Sequence, residues 1–404
     1  MKILIISHMY PSIFNEIGGI FVHQQVKELQ KQSCEVIIIS PVPWAPFPIK
    51  YLSKKWKRYS ELPRKTNWEG IKIYYPRWLE FPKSLFFASS GKRMYHGIKK
   101  TICQIKKKFN FDLIHSHVAL PDGYAGMLIA KKFKKPLVIT IHGQDFQQTI
   151  YKNKNCKKNI EKVINYSKKT ILVSEKLKNI GINKLNINPE KLIVIPNGIN
   201  VEDLYDKKSP LSKKYANKKI ILSVSNLIKV KGIDLNLHAI AKLKERHPYI
   251  YYLIIGDGIE RKTLEVLVQK LDLKNNVEFL GQLSHKKVME YMSICDIFSL
   301  PSWNEGFGIV YIEAMVHGKS AIACQGEGID GIIRDKKTGI LVKPKNVNSL
   351  VGAVNFLLSN PEKTKKIGEK AKKLVLKNYT WIQAVRRIIK IYKKTLKDKN
   401  GLFI

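Results

Sequence analysis

The sequence predicts an α/β protein built of two doubly wound, parallel-sheet halves. Three observations carry this. The chain has 404 residues, 44% of them hydrophobic, too many for one ordinary core and enough for two of similar size. Short Ile-, Val- and Leu-rich runs alternate with amphipathic stretches over residues 2–196, and that spacing gives parallel sheets with helices on both faces. The same alternation then restarts and runs from Lys219 to Gln325.

In the first half, Lys2 to Ser7 reads as a buried strand, His8 to Gly19 as a loop and Ile20 to Lys31 as a helix. The loop carries Gly18-Gly19, a pair that allows positive φ and close approach of a ligand, and that equally serves a plain turn. Val36 to Ser40 is a second strand. From Pro41 to Phe87 the pattern becomes irregular and interleaves Trp44, Phe47, Tyr51, Trp56, Lys57 and Arg58, then Trp78, Phe81, Phe86 and Phe87. That mixture suits lipid headgroups, or single-stranded nucleic acid, or a long loop folding its aromatics onto the domain; among the functional readings a membrane-facing lip is preferred.

Gly91 to Phe109 sets Met94, Ile98, Ile102, Ile105 and Phe109 at helical spacing, with Lys99, Lys100, Lys106, Lys107 and Lys108 largely off that stripe. This predicts a helix covering the sheet, with a membrane-surface helix as the alternative. Asp112 to Ser116 is a strand leading into His117, Ala125 to Phe133 a helix, and Leu137 to Ile141 a strand leading into His142-Gly143-Gln144-Asp145. Ligands of such sheets bind at the carboxyl ends of strands, where His117 and His142 stand. Neither lies in H-E-x-x-H or has a carboxylate or cysteine at a metal spacing, so no metal site is expected. Strands at Lys168 to Ser174 and Lys191 to Pro196 complete this half.

In the second half, strands are expected at Lys219 to Val224, Tyr251 to Ile255 (into Gly256-Asp257-Gly258), Val277 to Leu280 and Asp296 to Leu300. Helices are expected at Ile233 to His247, Glu260 to Leu271, Lys286 to Ser293 and Ile309 to Val316. After a strand at Ser320 to Gln325, Gly326 to Gly331 matches G-x-G-x-x-G. It is no dinucleotide fingerprint, because a second turn at Thr338-Gly339 follows where a helix should open. Ala371 to Lys397 reads as one helix with Trp381, Ile382, Val385, Ile388, Ile389 and Tyr392 as its apolar positions, and Gly401 to Ile404 as a frayed end.

The stretch with most chemistry is Pro301 to Glu313, PSWNEGFGIVYIE. A strand runs into glycines and a helix, and free backbone N–H groups at a helix start attract phosphate. Glu305 and Glu313, if both helical, would stand roughly 12 Å apart along the axis, too far to act as one acid/base pair. They suit the two ends of an extended ligand with a diphosphate in the middle and hydroxyl-rich sugars at each end, such as a nucleotide sugar.

This segment resembles the signature of the large retaining glycosyltransferase family numbered four, whose members have the GT-B fold of two Rossmann-like domains facing a cleft. The resemblance extends through Gly18-Gly19, His142, Asn226 with Lys231, and the 326–331 loop. It implies an acceptor-binding domain over 1–200, a nucleotide-sugar domain over 201–375 and a C-terminal helix, 376–404, crossing back to the first domain. It implies catalytic roles for His142, Glu305 and Lys231, with Glu305 on the transferred sugar. Donor contacts are implied for Gly18, Gly19, Asn226, Gly256, Leu283, Gly306, Phe307, Gly308, Ile309, Val310 and, at the ribose, Glu313; acceptor contacts for Asp145 and His117. Asn226 stands where the family usually has an arginine that clamps the diphosphate together with a lysine; Lys229, Arg261 and Lys262 are candidates to compensate.

The implied activity is retaining, metal-independent transfer of a hexose or N-acetylhexosamine to a glycan or lipid-linked acceptor in cell-surface polysaccharide synthesis. The donor expected is a UDP- or GDP-linked sugar, with no cofactor. Alternatives are a nucleotide-sugar epimerase or phosphorylase on the same fold, or a nucleic-acid binder, for which the net charge of +40 is the sole argument. The charge equally suits an anionic membrane or reflects a Lys-, Ile- and Asn-rich composition. Cys34, Cys103, Cys156, Cys295 and Cys324 form no C-x-x-C and read as reduced core residues. With no membrane span or signal segment apparent, a cytoplasmic protein, peripheral on the membrane's inner face at most, is expected.

Overall fold

Runs such as Lys-Ile-Leu-Ile-Ile carry bulky side chains on both faces and are stable only in a sheet covered on both sides. In the computed structural model, which describes residues 1–205 and 209–397, they form such strands. The first half contains β1 (Lys2–Ile6), β2 (Glu35–Ile39), β3 (Val42–Pro43), β4 (Lys65–Trp68), β5 (Ile71–Tyr74), β6 (Arg77–Trp78), β7 (Leu113–His117), β8 (Leu137–Ile141), β9 (Lys169–Leu172) and β10 (Leu192–Val194). Eight of these make one sheet in the order β10-β9-β8-β7-β1-β2-β5-β4, parallel except for β4. β1 lies between β2 and β7, so the chain order reverses there and the loops after β1 and β7 are splayed apart at the carboxyl end.

The second half contains β11 (Lys219–Val224), β12 (Ile250–Ile255), β13 (Val277–Gly281), β14 (Ile297–Ser299), β15 (Ser320–Cys324) and β16 (Ile340–Val342). They form an all-parallel sheet, β13-β12-β11-β14-β15-β16, with the reversal between β11 and β14. The chain divides into two units: residues 1–196 with the helix Trp381–Lys397, and residues 197–380.

Two expectations are corrected. The stretch 41–87 is not irregular throughout. It holds β3, the helix Lys54–Glu61, the hairpin β4–β5 and β6. The hairpin turns on Glu69-Gly70, both at positive φ, the two-residue turn that matches strand twist. Its signal is faint because Glu replaces the usual Asn or Asp and only Ile71 and Ile73 point inward. Secondly, the C-terminal segment is two helices, Pro361–Asn378 and Trp381–Lys397. The chain breaks at Tyr379-Thr380, where Ile199 N–H donates to the Tyr379 carbonyl and Ile199 bridges to Thr380. Trp381, Val385, Ile388 and Tyr392 then pack with Ile3, Ile5, Val22 and Val26 in the first unit's core.

The helix expected at Gly91–Phe109 spans Ser90–Lys108 and buries Met94, Ile98, Ile102 and Ile105, so its apolar stripe faces the protein interior. The Gly401–Ile404 end lies outside the described residues.

Candidate active site

In the second unit the loops after β11, β12, β14 and β15 are laced together by backbone contacts. Trp303 N–H donates to the Val230 carbonyl at 2.9 Å, and Leu227 N–H to that of Asp257 at 2.9 Å. Glycines permit the close approach. A Cβ at Gly232, whose φ is +68°, would lie 2.6 Å from the Pro301 carbonyl oxygen, and one at Gly256 1.8 Å from that of Ser225.

These loops bring Lys231 against Glu305: Nζ lies 2.6 Å from Oε2, and Ser302 Oγ donates to the same oxygen at 3.2 Å. Their side chains are 20% and 16% exposed, so the pair is shielded yet reachable. Lys231 is therefore held by Glu305 here. The Glu305 N–H donates to the Glu327 carboxylate, and Gly328 N–H to the Glu305 carbonyl, which fixes the 326–331 loop against the 305–308 turn. Sequence reasoning gave Glu327 no role.

Gly308, at φ +84°, starts the helix Ile309–Val316, and no side chain caps it. Its first-turn N–H groups and dipole form an anion-favouring end, with Gly306 and Phe307 in the preceding turn. Glu305 thus lies in a loop and Glu313 inside the helix, so the 12 Å helical separation does not apply. Glu313 Oε1 lies 2.9 Å from His285 Nε2, a contact that raises the His285 pKa against the opposing effect of burial. His285 went unnoticed in the sequence. Leu283 is half-buried after β13, and Gly256 follows β12. Asn226 is exposed. Two proposed substitutes for the missing arginine are committed elsewhere: Lys229 to Asp234 at 2.7 Å, and Arg261 to Glu265.

In the first unit, histidines gather at the carboxyl ends of β1, β7 and β8. His117 Nδ1 and His142 Nε2 are 2.9 Å apart, and Phe21 packs on the His142 ring with centroids 4.4 Å apart. Burial pushes His142 down to about 3 and His117 well below its ordinary value, so both are neutral at pH 7. His142 Nδ1 and His117 Nε2 have no protein partner. Behind them His115 bonds to Tyr392 Oη at 2.6 Å and Thr140 Oγ1 at 2.8 Å.

Both residues expected at the acceptor are buried. His117 is wholly buried and so presents no surface. Asp145 is 2% exposed, and its carboxylate accepts the N–H groups of Ala119 and Leu120; burial, opposed by those bonds, pushes its pKa up to about 7. Asp145 thereby holds the start of the loop after β7, at Ala119 and Leu120. The exposed group there is His8, in the loop after β1. Its Nδ1 bonds to the fully buried Asp122 carboxylate at 2.7 Å, and its own N–H donates to the same group. Burial disfavours the imidazolium, but Asp122 outweighs this and raises the His8 pKa.

Gly19, at φ +72°, starts the helix Ile20–Lys31, and a Cβ there would strike the Met9 carbonyl at 1.7 Å. Gly18 N–H donates to Asn15 Oδ1 at 2.9 Å. Among the described residues no three His, Cys, Asp or Glu side chains are grouped to hold a metal ion. No helix among them is long and apolar enough to cross a membrane.

Residues 205–374 match the family profile of the glycosyl transferases group 1, and residues 18–203 that of glycosyltransferase family 4. An uncharacterised glycosyltransferase of Methanocaldococcus jannaschii is 33% identical over 285 residues, covering 70% of this chain and 75% of that one. TuaC of Bacillus subtilis, a glycosyltransferase assigned to teichuronic acid biosynthesis, is 28% identical over 360 residues, 88% of each chain. Among solved structures, sucrose-phosphate synthase of Thermosynechococcus elongatus superposes with a TM-score of 0.82 at 20% identity, covering 98% of this chain and all of that one. Anabaena HepE in complex with UDP-glucose superposes with a TM-score of 0.72, also at 20% identity, with the same coverage.

Proposed function

Since the chain belongs to the group 1 glycosyltransferases of family 4 and has their GT-B fold, we propose that it moves a hexose or N-acetylhexosamine from a UDP- or GDP-linked donor, with retention and without a metal, to a glycan or lipid-linked acceptor of a cell-surface polysaccharide. The observation that carries this reading is the Lys231–Glu305 pair beside the uncapped start of the helix Ile309–Val316. A fixed cation and oriented N–H groups stabilise a diphosphate as its bond to the sugar breaks, where charge develops.

In this reading the diphosphate lies on Lys231 and the N–H groups of 307–310, Glu305 accepts hydroxyls of the transferred sugar, and Glu313 accepts those of the ribose. A diphosphate beside Lys231 shares that cation with Glu305 and frees part of the carboxylate for the sugar. His142, neutral and with one ring nitrogen unpartnered, suits a sugar hydroxyl. His8 replaces His117 and Asp145 as the group offered to an acceptor. No protein nucleophile is assigned; the acceptor hydroxyl attacks on the side from which the phosphate departs, and its proton passes to a phosphate oxygen. The name of the TuaC relative and the UDP-glucose in HepE support the polymer and the donor class.

The test is calorimetric titration with UDP, GDP, ADP and a single-stranded oligonucleotide at about 0.15 M salt, where non-specific charge binding is weakened. One nucleoside diphosphate should bind, and Glu313→Ala should abolish this. Oligonucleotide binding alone would overturn the reading. Transfer in the presence of a chelator, with an α-linked product from an α-linked donor, tests metal independence and retention.

A further inference from the structure

The parallel ribbon of β3 and β6 places two loops side by side: Trp44 N–H donates to the Trp78 carbonyl at 2.8 Å, so the chain after Pro43 and the chain after Trp78 leave together. Both loops turn their largest apolar side chains to solvent. Trp44, Tyr51 and Leu52 (75% exposed) project from one, and Leu79, Leu85 and Phe86 (72%) from the other. The helix Lys54–Glu61, which follows the first loop, buries none of its residues and exposes Lys54, Lys55, Lys57 and Arg58. Arg93 ties the second loop down, donating to the carbonyls of Leu79 and Phe86.

We infer that this face, two apolar loop tips flanked by a cationic helix, docks the protein on an anionic lipid bilayer. Tryptophan and tyrosine favour the headgroup zone, leucine and phenylalanine tips reach the acyl boundary, and the basic helix meets lipid phosphates. A protein partner fits less well, since protein interfaces are depleted in lysine. Nucleic acid fits less well too, because the exposed leucines cannot stack on bases as aromatic rings do. Through β3 and β6 the loops continue from the carboxyl ends of β2 and β5, the end of the sheet at which His8 and His142 follow β1 and β8. On the glycosyltransferase reading, on which this part rests, the bilayer would present a lipid-linked acceptor to that end of the first unit.

The test is sedimentation of the full-length protein with vesicles of phosphatidylcholine alone and of phosphatidylcholine with about a third phosphatidylglycerol, at about 0.15 M salt. Binding should need the anionic lipid and fall about tenfold or more in Leu52→Ser/Phe86→Ser. Lys54→Gln/Lys57→Gln should reduce its salt dependence. Ile259→Ser, which removes a side chain 85% exposed in the second unit, should leave binding unchanged. Absence of binding overturns the inference, as does binding that Leu52→Ser/Phe86→Ser leaves intact. So does that variant abolishing self-association or oligonucleotide binding in place of vesicle binding. Nucleoside diphosphate titration of the same variant keeps the two readings apart, because it should be unaffected.

Discussion

Lys231 and Glu305 form one contact, to whose two ends the proposed function gives separable duties. If Lys231 bears on the diphosphate and Glu305 on the sugar, Lys231→Ala should weaken nucleoside diphosphate binding and transfer together. Glu305→Gln should cut kcat/KM by about a hundredfold or more while leaving nucleoside diphosphate affinity within about threefold. Equal loss of affinity in both variants would show that the pair acts as one structural unit. Since water reaches the pair, either change should cost about 1–2 kcal/mol of stability. His285 and Glu313 make a second prediction, with a pH sign. The His285 pKa is raised in the folded state by the Glu313 bond. Its contribution is therefore complete below the unfolded value of about 6.5 and is lost as pH rises through the higher folded one. His285→Ala should lower the unfolding free energy at pH 5.5 by no more than about 0.5 kcal/mol after solvent screening, and leave it unchanged at pH 9. A pH-independent loss would mean that His285 acts through packing. Lys231, Glu305 and Glu313 stand out in the sequence because each lies at a fixed offset from glycines in a local pattern. The pairs His8–Asp122 and His285–Glu313 do not, because their members are 114 and 28 positions apart and only the folded chain brings them together.

At the scale of elements, the strands and helices whose apolar pattern is strong were readable almost to the residue. The helices Ile20–Lys31 and Ile309–Val316 and the strand Lys219–Val224 have the expected ends. The hairpin β4–β5 was not readable, since an edge strand such as Lys-Thr-Asn-Trp buries little and carries almost no alternation. The glycines between elements are a sharper matter, because composition shows where they are and only geometry shows which are irreplaceable. Gly232 combines left-handed backbone with a backbone oxygen where a Cβ would stand. Gly232→Ala should cost at least about 2 kcal/mol, of which left-handed φ alone accounts for 1–2. It should also move Lys231 away from Glu305, so Tm and transfer activity should fall together. Gly352, with open space around its Cβ position, is the control: Gly352→Ala lies in the helix Val347–Ser359 and should be neutral or stabilise by up to about 1 kcal/mol. If Gly232→Ala keeps normal Tm and activity, the backbone lacing of these loops is not what positions Lys231.

For the molecule as a whole, the sequence showed two alternating halves, and the resemblance implied a last helix returning to the first, but neither showed where the C-terminal segment breaks. Read as one helix from Ala371, the segment is split at Tyr379-Thr380, and each part belongs to a different unit. The consequence is asymmetric. Residues 197–380 contain a complete sheet and its covering helices, whereas residues 1–196 without Trp381–Lys397 would expose one side of their core. Trp381, Val385, Ile388, Ile391 and Tyr392 are all buried there. At about 1.5–3 kcal/mol per large apolar side chain, their loss amounts to roughly 10 kcal/mol, as much as the whole stability of a typical domain. Tyr392 also bonds His115, whose ring lies against that of His117, so the helix supports the histidine row as well as the core. Residues 197–380 expressed alone should therefore unfold cooperatively and bind a nucleoside diphosphate. Residues 1–196 alone should not fold, and joining 381–397 to them by a flexible linker should restore a cooperative transition. Cooperative unfolding of 1–196 by itself would show that the C-terminal helix decorates the first unit and does not complete it.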